Sequence, residues 1–127
     1  MVKNIVRPTT AVARQKRVDM ALEEAKRYEM NIDSRIGDEN LKEDIKFVFH
    51  TVDLANGLVR YIDKDKEAEF WDNPWFRGLS ESQLRAVRLY VSALKELTFA
   101  EAALLGLPEE KLEGGNEYGQ YRKVAPK

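Results

Sequence analysis

The chain has 127 residues, 43% of them hydrophobic and 34% charged, which suits one globular domain and argues against wholesale disorder. It contains no cysteine, which excludes disulfides, thiolate nucleophiles and cysteine-based zinc sites. No run approaches the roughly 18 apolar residues of a membrane span, and the first residues lack the apolar core of a signal peptide. We therefore expect no membrane partner, and a protein that is cytoplasmic or held within a larger assembly such as a virion.

Charge is distributed unevenly along the chain, although the net charge is only −1. The basic segment, residues 1–17, contains no acid and five basic residues: Lys3, Arg7, Arg14, Lys16 and Arg17. Because this segment carries +5 and residues 116–127 carry +2, residues 18–115 carry −8. A basic N-terminus therefore precedes an acidic body, which is the first indication of a charged partner.

The first half of the chain predicts an extended arm and two long helices. Pro8 disfavours helix at the preceding residue, so residues 1–9 are expected to be extended. A first helix follows, to about Asn31, and Asp38 caps a second helix that runs to about Ile62. The second helix is predicted to be the central element, because seven apolar residues recur at a mean spacing of 3.5: Leu41, Ile45, Val48, Val52, Ala55, Val59 and Ile62.

The second half predicts an aromatic connection and shorter helices. Residues 63–69 are charged and add a helical turn, and Asn73 with Pro74 marks a turn within the aromatic connection, residues 70–78. Ser80 with Gln83 forms a capping box that begins a third helix. Thr98 with Glu101 predicts a second capping box and a short fourth helix at 99–105, with one further turn at 108–113. No segment has the alternating period of a strand.

These elements predict an all-α protein. It is a small helical bundle of two long helices plus a medium helix and one or two short helices, with an extended basic N-terminal arm and a flexible C-terminal tail. The expected domain organisation is the arm at 1–9, a single helical domain at 10–115 and a polar C-terminal tail at 116–127.

The sequence contains no recognisable catalytic pattern. His50 is the only histidine and is predicted to be a solvated surface residue on the polar side of the second helix. The acidic run that begins at Asp63 lacks the glycine and glutamate of a calcium loop, and there is no glycine-rich phosphate loop or nucleophile motif. We expect no catalytic residue, no metal site, no cofactor and no small-molecule substrate, although a carboxylate-only site for Mg²⁺ or Ca²⁺ stays open.

Two parts of the chain are predicted to bind a partner. The basic segment can contact nucleic-acid phosphates or the acidic body of a second copy, or it can be a loose solubilising arm. The second part is the aromatic connection, whose composition is typical of interface anchors: Phe70, Trp71, Trp75, Phe76 and Arg77. The alternative interpretation is that these aromatic residues close the core between the second and third helices.

The stretch Leu97 to Gly106, LTFAEAALLG, resembles the opening helix of a helix-turn-helix, although the spacing before the turn is one residue short. The acidic segment at 107–113 would then be the recognition helix, and phosphate repulsion makes it a poor reader of DNA. We expect a non-enzymatic helical interaction or assembly subunit within a multi-subunit complex, which resembles bacteriophage structural or packaging accessory proteins in size and style. The alternatives are a nucleic-acid-associated accessory or regulatory protein that uses the basic segment, and an enzyme with a carboxylate-bound metal.

Overall fold

The computed structural model describes residues 11–60, 64–106 and 121–123, with no side chains at 58–60 and 121–123. The all-α prediction is confirmed, and the described helices are α1 Ala11–Arg35, α2 Glu39–Phe49, α3 Lys64–Trp71 and α4 Glu81–Leu104. A 3₁₀ helix lies at Pro74–Gly78, and a small antiparallel sheet contains β1 Val52–Asp53, β2 Leu58–Arg60 and β3 Tyr121–Lys123. The predicted arm at 1–9 and most of the predicted tail lie outside the described residues.

The two long helices, α1 and α4, pack against each other and contain most of the core. They are antiparallel, because Arg17 of α1 pairs with Glu96 and Arg35 at the other end of α1 contacts Ser82. The buried stripe of α1 has helical spacing and includes two alanines that let the helices approach closely: Val18, Ala21, Ala25 and Ile32. The prediction that the second helix is the central element was wrong. Among the described helices α4 has the longest buried stripe, including Val87, Tyr90, Val91, Leu94 and Leu97.

The second helix ends at Phe49, and the prediction that it continues to Ile62 was wrong. The chain turns at residues 54–57 and returns as β2, with Val52 paired to Val59. Gly57 has a φ of +63°, and the Asn56 side chain donates to the Asp53 carboxylate, which lowers the pKa of Asp53. Asn-Gly is a strong hairpin signal, and here it overrides the 3.5-residue apolar spacing.

Helix starts were predicted well, with one exception. Asp38 caps α2 by accepting from the Leu41 amide, and Ser80 and Gln83 form both bonds of the capping box that begins α4. The second capping box was wrong, because α4 continues through Thr98 to Leu104 without a break. The prediction of no strands was also wrong in the described region, and α1 extends beyond Asn31 to Arg35.

Residues 64–69 of the predicted helical turn belong to α3, which reaches Trp71, and residue 63 lies outside the described part of the chain. Asn73 then caps the 3₁₀ helix by accepting from the Trp75 amide, with Pro74 at its start. No helix among the described residues is both long and apolar enough to cross a membrane.

Candidate interaction surface

The aromatic connection divides into a buried part and an exposed part. Phe76 is only 8% exposed, and Phe70 and Trp71 are half-buried. Phe70 and Trp71 contact Phe49, which ends α2, at centroid distances of 5.2 Å and 6.3 Å. Phe76 contacts Phe70 at 5.2 Å and Trp71 at 5.5 Å. These three side chains therefore close the core between α2 and the 3₁₀ helix.

Trp75 lies on the other side of the connection. Its ring meets the edge of Phe76 at 5.5 Å but is 42% exposed. Phe47 of α2 is 70% exposed, and it lines a groove to which Trp75 also contributes. Phe47 was not among the predicted partner-binding residues, because residue type alone does not show which flank of a helix a neighbouring element covers.

The α2–α3 groove is the open cleft of about 580 Å³ between α2, α3 and the 3₁₀ helix. Its apolar side chains come from all three elements: Leu41, Phe47, Val48, Phe70, Trp75 and Phe76. Its charged residues are mainly acidic: Asp38, Asp44 and Glu69, with Lys66. The arrangement offers large apolar and aromatic contacts beside negative charge, which suits a segment that combines apolar and basic side chains.

The predicted basic residues have different positions. Lys3 and Arg7 lie outside the described residues, whereas Arg14, Lys16 and Arg17 are in the first turns of α1. The Arg17 guanidinium lies 3.1 Å from the Glu96 carboxylate of α4, so it joins the two long helices within one chain. The described structure therefore leaves Arg17 less suited to a partner than the sequence indicated.

A second charged surface, the arginine groove, encloses about 690 Å³ between the C-terminal end of α1 and the first turns of α4. Arg35, Arg85 and Arg88 line it with one acid, Glu81. Arg35 donates to the Ser82 hydroxyl at 2.8 Å, whereas Arg85 and Arg88 form no ion pair with any described residue. Sequence reasoning missed this group because Arg35 is far from the other two along the chain.

Arg77 was predicted to act beside the aromatic residues. The structure places it in a neighbouring groove, which Trp71 and Arg88 also line. Arg77 is exposed, and it forms no ion pair with any described residue. It shares this groove with Arg88 of α4 and is not among the residues that line the α2–α3 groove.

Lys42 of α2 is the most buried basic side chain described, at 6% exposure. Its ammonium lies 2.6 Å from the Asp33 carboxylate and 2.9 Å from that of Glu39, and Lys46 pairs with Glu29 at 3.1 Å. The hydrogen bond to Asp33, followed by that to Glu39, raises the pKa of Lys42. The amine is therefore held protonated, which suits a structural ion pair and not a nucleophile or base.

His50 is not the solvated residue that the sequence predicted. It follows α2, is one-third exposed, and its Nε2 lies 2.6 Å from Oε1 of Glu101, a buried residue of α4. Beside this pair, the Thr98 hydroxyl donates to the Phe49 carbonyl and accepts from the Thr51 amide. These bonds fasten the end of α2 to α4.

No described cluster of three histidine or carboxylate residues has the arrangement of a metal site. The acidic α2–α3 groove and the arginine groove are two charged features of the described surface. Comparison of the chain with protein-family models, with curated proteins and with solved structures finds no match to any of them.

Proposed function

We propose that this protein is a non-enzymatic assembly subunit that packs within a multi-subunit complex. The observation that carries the proposal is the α2–α3 groove, where Phe47 and Trp75 expose aromatic surface beside a half-buried aromatic cluster. Exposed aromatic side chains that border a packed apolar pocket are typical anchors of protein interfaces. The proposed contact therefore includes the exposed part of the aromatic connection together with Phe47.

Charge supports the same proposal. Asp38, Asp44 and Glu69 surround the groove, and the basic segment of the chain has the opposite charge. Complementary charge speeds encounter and selects among partners, and the apolar surface supplies most of the affinity. One sequence thus contains both halves of a head-to-tail contact. In size and style the chain resembles bacteriophage structural or packaging accessory proteins, so a bacteriophage particle or packaging complex is the proposed setting.

The contacts of Lys42 and His50 support the non-enzymatic part of the proposal. Lys42 is held protonated by carboxylates, and His50 joins α2 to Glu101. Both residues have contacts that stabilise the fold, so the proposal requires neither of them to meet a substrate.

The solution mass, measured by light scattering over a range of concentrations and salt, tests the proposal. We expect a defined oligomer that loses mass when Phe47→Ser removes the exposed ring. Met30→Ser is the matched control, because Met30 of α1 is 68% exposed and lies outside the groove. A wild-type protein that is monomeric at every concentration and salt would contradict the proposal.

The arginine groove favours a second candidate function, association with nucleic acid. Arg85 and Arg88 project from α4 without an ion pair among the described residues, and the basic segment, residues 1–17, adds further positive charge. Arginine forms bidentate hydrogen bonds with phosphate, and each neutralised phosphate makes binding more salt-dependent.

Fluorescence anisotropy with a labelled DNA duplex at several salt concentrations tests this candidate. We expect Arg85→Gln with Arg88→Gln to weaken binding and to lower the slope of log K against log salt by about 2 units. Lys26→Gln with Lys64→Gln removes the same charge from other exposed positions and is the control. Salt-independent binding, or equal effects of the two pairs, would contradict the candidate.

A further inference from the structure

We propose that the α2–α3 groove binds residues 1–9 of a second copy of this chain. The inference deepens the proposed function and rests on it, because it names the partner of that groove. Three observations carry it: the groove has uncompensated acids, the arm has matching apolar and basic residues, and the topology favours exchange between copies.

Two acids of the groove, Asp44 and Glu69, differ from several other described acids in having no ion pair among the described residues. By contrast, Lys42 and Lys46 of α2 neutralise two carboxylates of α1. Lys42 pairs with Asp33, and Lys46 pairs with Glu29. Negative charge near apolar surface attracts a cationic segment, because partial burial strengthens the interaction beyond that of an exposed pair.

The sequence of the arm, MVKNIVRPT, has the chemistry that the groove requires. Pro8 favours an extended backbone at Arg7, and in an extended chain Lys3 and Arg7 lie on one side with Ile5, while Val2 and Val6 lie on the other with Asn4. Lys3 and Arg7 are then about 13 Å apart. The arm therefore presents two cations to the rim of a groove and two valines to its apolar surface.

The topology favours the arm of another copy over the arm of the same chain. The arm joins α1 at Ala11, at the end of α1 that lies beside the C-terminal half of α4. The groove reaches Asp38, which follows the opposite end of α1. The ten residues that precede Ala11 span about 33 Å when fully extended, whereas the 25 residues of α1 span about 37 Å. The arm is therefore too short to fill its own groove as far as Asp38.

Reciprocal exchange of arms between two copies fills both grooves and closes the assembly as a symmetric dimer. Each copy then contributes one arm and one groove, and the two contacts are identical. The expected solution species is therefore a dimer whose stability falls as salt screens the contacts between the arm and the groove.

Charge reversal in the full chain tests the inference. The groove variant carries Asp44→Lys with Glu69→Lys, and the arm variant carries Lys3→Glu with Arg7→Glu. We expect each variant alone to weaken dimerisation at least tenfold, and an equimolar mixture to restore a mixed dimer, because each then offers the other a complementary contact. The control, Glu23→Lys with Asp72→Lys, changes the charge as the groove variant does at exposed positions outside the groove.

The measurements are light scattering for mass and circular dichroism for retained helix. A dimer that Phe47→Ser dissociates but charge reversal in the arm leaves intact would overturn this inference and leave the proposed function standing. A mixture that does not restore the dimer would overturn it equally. A wild-type protein that never associates would overturn both the inference and the proposed function.

Discussion

The imidazole of His50 lies 2.6 Å from the carboxylate of Glu101, and this contact joins the end of α2 to the buried side of α4. The two residues are 51 positions apart in the chain. One helical turn before Glu101, Thr98 bonds the backbone on both sides of His50. The end of α2 is therefore set by polar side chains of another helix as well as by its own sequence.

Loss of His50 should destabilise the fold. His50→Ala leaves the mostly buried Glu101 carboxylate without its partner, and we expect the free energy of unfolding to fall by about 1–3 kcal/mol. His50→Ala should lower the free energy of unfolding by less when Glu101 is already replaced by Gln. A buried neutral amide without a partner is less costly than a buried carboxylate without one. Urea denaturation of the four proteins in this double-mutant cycle measures the coupling. A coupling near zero would show that the pair contributes nothing to stability.

Thr98 tests the junction independently of charge. Thr98→Val preserves shape but removes the hydroxyl that bonds the Phe49 carbonyl and the Thr51 amide, so we expect a loss of about 1–3 kcal/mol. Thr98→Ser keeps the hydroxyl and removes one methyl group, and its smaller loss, about 1 kcal/mol, is the control. The measurement is the midpoint of chemical denaturation. If both variants were equally destabilised, packing and not hydrogen bonding would hold the junction.

Lys42 should matter more to stability than its neighbour Lys46. Lys42→Met leaves the carboxylates of Asp33 and Glu39 close together without the buried ammonium, whereas Lys46→Met removes a half-exposed pair with Glu29. We expect the larger loss of unfolding free energy from Lys42→Met, measured in urea at pH 7. Equal losses would mean that the burial of Lys42 adds nothing to its ion pairs.

The same lysine predicts a pH dependence. Hydrogen bonds to Asp33 and Glu39 raise the pKa of Lys42 above its ordinary 10.5, so its stabilising contribution is complete below pH 10.5. Above that pH the unfolded chain releases the proton first, and the contribution declines. Urea denaturation from pH 8 to 11 should therefore show an alkaline loss of stability that is reduced in Lys42→Met. An identical slope in the two proteins would contradict this assignment.

Tyr90 adds to the loss of stability in the same alkaline pH range, for a different reason. Its hydroxyl is buried and forms no hydrogen bond among the described residues, and burial raises the pKa of Tyr90 above its ordinary 10.0. The neutral ring is thus favoured in the fold, and stability is lost as the pH rises above 10.0. Tyr90→Phe should increase stability by about 1 kcal/mol at pH 7 and reduce the alkaline loss. A destabilised Tyr90→Phe would reveal a bound partner for the hydroxyl.

Within the aromatic connection, substitution of a buried residue should lower the free energy of unfolding more than substitution of an exposed one. Phe76→Ala removes a buried ring and should cost about 3–5 kcal/mol of unfolding free energy. Trp75→Ala removes a ring that is largely exposed and should cost less than about 1 kcal/mol, with the fold retained in circular dichroism. A large loss from Trp75→Ala would place this residue in the core.

Local hydrogen bonds made much of the fold predictable. The N-caps at Asp38 and Ser80 involve partners only three residues away, so a short window of sequence contains the whole interaction. The apolar stripe of α1 was equally readable, because a helix that buries one narrow face repeats its spacing along the chain. The all-α class followed from these features.

One error occurred where distant residues decide the local structure, and the other where a local turn signal competes with apolar spacing. Thr98 and Glu101 have the spacing of a capping box, but their side chains bond to the end of α2 instead. The Thr98 hydroxyl donates to the Phe49 carbonyl, and the Glu101 carboxylate bonds His50. The apolar residues after His50 have helical spacing, yet Asn56 and Gly57 turn the chain and pair β1 with β2. At Thr98, contacts between elements chose between two locally acceptable structures. After His50, the local Asn-Gly turn signal outweighed the apolar spacing.

The sequence by itself determined the helical class, the starts of α2 and α4, and the contrast between a basic N-terminus and an acidic body. These properties depend on composition or on bonds between near neighbours. Only the tertiary structure decided that α4 is the central helix, that Phe76 is buried while Trp75 and Phe47 are exposed, and that three arginines share a groove. Burial is a property of residues that meet across the fold, and no short stretch of the chain contains that information.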